Sequence, residues 1–180
     1  MSEAHDIIKY WFETLSPEQR FKRDAAVDAE IAARFGALHA LLARGVPEDW
    51  TADAPTLLAA IIVLDQFSRN LFRDDRRAFA HDDAARALTD VAIARGWDAG
   101  MTGDERQFLY MPLMHSEALA DVERCEALMR AAGSEGGADF AAKHAATIRR
   151  FGRYPARNAA LGRATTEEEA ALLRENPAGF

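Results

Sequence analysis

At 180 residues the chain is long enough to bury a core without disulfides or a structural metal, and of a usual size for one domain. Its single cysteine, Cys125, excludes a disulfide framework and a Cys-rich zinc site. A net charge of −7 argues against a general nucleic-acid or anionic-membrane binder, and 38 alanines against 12 Val plus Ile argue for an all-α fold.

Helical punctuation recurs along the whole chain. Ile7, Ile8, Trp11, Phe12 and Leu15 lie at helical spacing. Ser16-Pro17-Glu18-Gln19 offers a cap, a proline for the first turn and a capping box. Asp24 can open the next helix, with Val27, Ile31, Phe35, Leu38 and Leu42 on one face. Pro47 to Pro55 reads as a connection in which Trp50 packs as a hydrophobic peg. Thr56 to Phe72 is apolar on nearly every side at first, so this helix is expected at the centre.

A helix over about 82–95 stops at Gly96, and Thr102 to Glu105 starts another that Pro112 should kink or break. The pattern resumes through Glu117, Leu119, Val122, Leu128 and Met129 to Gly133. Ser134 to Gly137 reads as a surface turn and Asp139 to Phe151 as a helix stopped by Gly152. Thr166 opens a last short helix, with Glu169 completing a capping box. About eight helices in one domain over residues 1–180 suit packed antiparallel hairpins. The longest apolar run, Leu57 to Leu64, is far short of a membrane span. With no basic N-terminal stretch leading into an apolar one, a cytoplasmic location is expected.

Three segments carry polar chemistry. Residues 143–163 contain Lys143, Arg149, Arg150, Arg153, Arg157 and Arg163, with no Asp or Glu. Such guanidiniums either grip a carboxylate or phosphate or pair with acids from other helices. In Leu64 to Arg73, Asp65 and Arg69 interrupt an apolar face at an i, i+4 spacing. They form either a buried ion pair or an oriented arginine facing a ligand, with Gln66, Asn70 and Arg73 alongside. Around Pro112, His115 and Glu117 offer a base and a carboxylate, but two residues apart they fall on different helix faces. No metal-ligand spacing, nucleophile elbow or phosphate loop is present, so no metal or cofactor is expected.

These segments resemble the uncharacterised bacterial domain of unknown function 924 family. The matching words include Trp11-Phe12, Leu64-Asp65-Gln66-Phe67-Ser68-Arg69-Asn70, Tyr110-Met111-Pro112-Leu113 with His115-Ser116-Glu117, and Phe151-Gly152-Arg153-Tyr154-Pro155-Ala156-Arg157-Asn158. The resemblance implies an all-helical, TPR-like arrangement and brings no reaction with it. It also marks two departures, Ala156 where the family commonly has His and Ser68 where it commonly has Pro.

The reading that results is a binding module. Arg153, Arg157 and Asn158 are expected to meet Asp65, Arg69 and Asn70, with His115 and Glu117 nearby, at one concave site. There arginines outnumber carboxylates, and Arg69, Asn70, Arg73, Arg153, Arg157 and Asn158 take a small anion or an acidic peptide. The alternatives are an acid/base hydrolase using His115 with Asp65 or Glu117, and a structural or assembly subunit.

Overall fold

The computed structural model describes residues 2–177 and 179. Among them there is no strand, and helices follow one another from end to end. Helix α1 (Glu3–Lys9) passes directly into a π-helical turn over Tyr10–Thr14. After α2 (Pro17–Phe21) comes α3 (Ala25–Leu42), capped by the Asp24 side chain. Its face of Val27, Ile31, Phe35, Leu38 and Leu42 is buried as the spacing predicts. Trp50 is likewise a buried peg.

The central element is a rod made of α4 (Ala54–Ile61), a π-helical turn (Ile62–Phe67) and α5 (Ser68–Leu71). It starts two residues before the expected Thr56 because Asp53 accepts a hydrogen bond from the Thr56 N–H. Every residue from Leu57 to Ser68 is buried, so the rod displays no solvent face there. Helix α1 packs on α4, and α3 packs on the π turn and α5. The two π turns meet edge to face, Trp11 on Phe67 with ring centroids 5.7 Å apart. Trp11 also meets Phe108 edge to face at 5.4 Å.

On the other side of the rod, α6 (Asp82–Ala94) and α7 (Gly103–Met114) pack on α4. The Thr102–Glu105 capping box fixes the start of α7. Pro112 neither splits the helix nor stands in its middle: it lies in the last turn, two residues before the end. Helices α8 (Leu119–Ala131) and α9 (Glu135–Phe151) form a hairpin against α7.

The expected turn at 134–137 is instead the start of α9, whose first residues include Gly136 and Gly137. A Cβ on Gly137 would lie 2.7 Å from Ser134 Oγ and 3.0 Å from Met129 Sδ. Here glycine serves close helix packing rather than a flexible loop. Gly152, at φ +69°, then ends α9 and lets the chain double back. Short α10 (Asn158–Leu161) and capped α11 (Glu167–Glu175) complete the chain.

Candidate functional site

The site is built where the end of the rod meets the end of α7. Asp65 lies in the π turn and is fully buried. Its carboxylate accepts hydrogen bonds from Arg69 Nη1 at 3.1 Å, His115 Nδ1 at 2.7 Å and Gln66 Nε2 at 2.5 Å. Burial by itself would push this carboxyl up; the Arg69 charge and the His115 and Gln66 bonds outweigh it and hold the acid ionised. Burial and the neighbouring Arg69 push His115 below its ordinary value despite Asp65. The pair therefore rests as carboxylate and neutral imidazole. The Nδ1–H donates to Asp65, which leaves Nε2 as the proton acceptor.

Arg69 then reaches across to α6. Its two terminal nitrogens grip the Asp82 carboxylate in a fork, both at 2.9 Å. Arg157 Nη1 shares the same carboxylate at 3.3 Å, and its Nη2 donates to the His115 carbonyl at 2.8 Å. That second bond places a cation on the free carbonyl end of α7, where the helix dipole favours it. The Arg157 guanidinium lies 4.7 Å from both the Phe79 and Tyr154 ring centroids. On the other flank, Asn70 and Arg73 both hold Asp28 of α3, at 2.7 Å and at 2.8 and 3.0 Å.

These side chains border a cavity of about 620 Å3. Arg20, Lys22, Arg69, Arg73 and Arg157 line it, with Gln66, Asn70 and His115, and no Asp or Glu is among its described lining residues. Asp28, Asp65 and Asp82 stand behind the cations. Arg20 is buried, pairs with Asp104 through Nη2 at 3.1 Å, and has no hydrogen-bond partner at Nε or Nη1 among the described residues. Its guanidinium rests near the Phe12 and Phe108 rings.

Convergence of the three polar segments is thus only partial. Asp65, Arg69, Asn70, Arg73, His115 and Arg157 come together, but Arg153, Asn158 and Glu117 do not line the cavity. Arg153 forks onto Glu169 at 2.7 and 2.9 Å, and Asn158 donates to the same carboxylate at 3.1 Å. That arginine holds Glu169 down to about 2. Glu117 is gripped by Arg163 at 2.8 and 3.0 Å and by the Tyr154 N–H at 2.8 Å.

His115 and Glu117 are separated by the link between α7 and α8, not by helix faces: neither residue is in a helix. The expected surplus of arginines is also absent from the inner cluster, where Asp65 and Asp82 balance Arg69 and Arg157. Arginines taken as acid-free in sequence find their acids elsewhere, Arg149 on Glu123 and Arg150 on Glu168.

Asp82 was legible only as a helix start, Asp28 only within the family-like word Asp28-Ala29-Glu30-Ile31, and Arg20 gave no signal of its own. Of the two departures, Ala156 lines the cavity itself. Ser68 is buried beneath it, donating to the Leu64 carbonyl at 2.6 Å and contacting His39 Nε2 at 2.8 Å. Among the described residues no group of three His, Cys, Asp or Glu is placed to hold a metal, and no helix is long and apolar enough to cross a membrane.

The family described as "Bacterial protein of unknown function (DUF924)" matches residues 7–177. A solved structure of a protein of unknown function from Agrobacterium tumefaciens is similar over 96% of this chain and 97% of its own, with 38% identity and a TM-score of 0.91. No curated protein matches the chain.

Proposed function

Because the chain belongs to the DUF924 family of bacterial proteins of unknown function, no activity comes with its fold, and we propose from the site alone that it binds a small anionic ligand in the cavity beside Arg69 and Arg157. One observation carries this reading: five cationic side chains line the cavity, and the acids paired with three of them, Arg69, Arg73 and Arg157, lie outside its lining. The balance of charge is even, but its arrangement is not. A guanidinium has five N–H donors, and a ligand can take those of Arg69, Arg73 and Arg157 that are not spent on Asp82, Asp65 or Asp28 or on the Asp65, Ala78 and His115 carbonyls. Its volume suits a small molecule better than an extended acidic peptide. A cytoplasmic setting without nucleic-acid partners goes with the same reading, supported by the net charge of −7.

Calorimetric titration with inorganic phosphate, acetate and an acidic peptide tests the proposal. Phosphate or acetate should bind, more weakly as salt rises, and Arg157→Gln should cost at least about tenfold for one lost charge-assisted contact. Tighter binding of the peptide, or no effect of Arg157→Gln in a folded variant, would overturn it.

One observation favours a second reading. His115 is neutral, oriented by Asp65, and lines the cavity with Nε2 unpartnered among the described residues. A general base has this arrangement, and it would draw a proton from water attacking an ester held at the arginines. Turnover of p-nitrophenyl phosphate or p-nitrophenyl butyrate that disappears in His115→Gln would support it. Its pH profile should rise through a value below 6.5. Turnover unaffected by the variant would dismiss the dyad as a base.

A further inference from the structure

Building on the anion-binding reading, we propose that the ligand is an amphiphile, an anionic head at Arg69 and Arg157 carrying an apolar arm that lies along Met111, Met114, Met129 and Phe140. The cavity has two unlike walls. One is the cationic wall of the rod and the segment after Gly152. The other comes from the end of α7 and the α8–α9 hairpin, and its side chains there are mainly thioethers and an aromatic ring.

Three of the chain's five methionines line this one cavity. Methionine is unbranched and polarizable, so it adapts to flexible apolar ligands. Large hydrophobic side chains are exposed at three described positions, Phe21, Leu41 and Phe140, and two of these line the cavity, 58% and 43% exposed. Single exposed apolar residues need no explanation, but two on the rim of an apolar-walled pocket suggest cover for an apolar arm. The hairpin holds this wall close, since Gly137 leaves no room for a Cβ against Met129. A bare phosphate or acetate would use the arginines and leave the thioether wall wet.

Titration of the full chain with inorganic phosphate and with ethyl, butyl and octyl phosphate measures the arm. Octanoate tests a carboxylate head, and octanol the arm alone. Affinity should rise about threefold to fourfold per methylene as apolar surface is buried. Octyl phosphate or octanoate, whichever head fits better, should exceed octanol by at least about tenfold. Phe140→Ser, an exposed position, should flatten the dependence on chain length while leaving inorganic phosphate binding unchanged.

Phosphate binding that depends on Arg157 but shows no gain from ethyl to octyl phosphate would overturn the amphiphile and leave the anion site standing. Octanol binding as tightly as octyl phosphate and octanoate would overturn the anionic head. Failure of every anion to bind would overturn both readings.

Discussion

Arg153 and Arg157 are four residues apart in one acid-free stretch, yet they belong to clusters of opposite character. Arg153 closes on Glu169 together with Asn158, while Arg163 joins Asn158 to Glu117. This clamp ties α11 and the α7–α8 link to the segment after Gly152. Its donors and acceptors satisfy one another, and none of Arg153, Asn158, Arg163, Glu117 and Glu169 lines the cavity. Arg157 instead stands between two aromatic rings, with its carboxylate behind it and the cavity in front.

The chemistry is the same guanidinium–carboxylate pairing in both places. What differs is whether a guanidinium is enclosed by its partners or backed by them. Tyr154 joins the two: its N–H and carbonyl serve the clamp, while its Oη donates to the Met114 carbonyl at 2.6 Å and its ring covers Arg157.

The comparison breaks most readily at Asp65. Asp65→Ala leaves His115 Nδ1 without its carboxylate and Arg69 with Asp82 as its one remaining acid, next to a buried hole, and should cost about 3–5 kcal/mol in urea denaturation. A cost under about 1 kcal/mol would mean that Asp82 alone organises the cavity side.

Acid should then separate the two clusters. Burial lowers His39 and His144 to about 4, and the clamp holds no histidine. The folded state therefore binds fewer protons than the unfolded one between about pH 4 and 6.5. Stability falls as pH drops through that window, by up to ~3 kcal/mol per ring. Glu169 stays ionised throughout, because Arg153 holds it at about 2. Denaturation at pH 7 and pH 4.5 should show the loss, and His39→Gln with His144→Gln should reduce it, leaving the share that the lowered His115 contributes. An unchanged slope in that double variant would place the acid sensitivity elsewhere.

A smaller effect is expected from the clamp. Glu169→Ala should cost about 1–3 kcal/mol, speed amide exchange in α11 and leave phosphate binding within about twofold. Loss of phosphate binding would show that clamp and cavity act as one unit. Least of all, Arg149→Ala and Arg150→Ala remove exposed pairs and should each cost less than about 1 kcal/mol.

Much of the fold was legible because it is written locally. Capping boxes at Ser16, Thr102 and Thr166, the stops at Gly96 and Gly152, and the buried face of α3 each depend on neighbours a few residues away. The Asp65–Arg69 pair was legible for the same reason. The π turns were not, because their apolar pattern is close to that of an α-helix. Nor did the sequence distinguish Arg153 from Arg157. Arg157 finds its acid 75 positions earlier in the chain, and Arg163 finds Glu117 46 positions earlier, so a stretch with no acid of its own is still paired once folded. Arg20 had no pattern to mark it, since its burial between α2 and α7 is a tertiary fact.

The most direct measurement is a paired titration of Arg157→Gln and Arg153→Gln with inorganic phosphate, both variants first checked for unchanged helical circular dichroism. If one guanidinium is backed by its carboxylate and the other enclosed, Arg157→Gln loses at least about tenfold in affinity and Arg153→Gln stays within about twofold of the parent. Equal losses, or a larger loss in Arg153→Gln, would contradict the account.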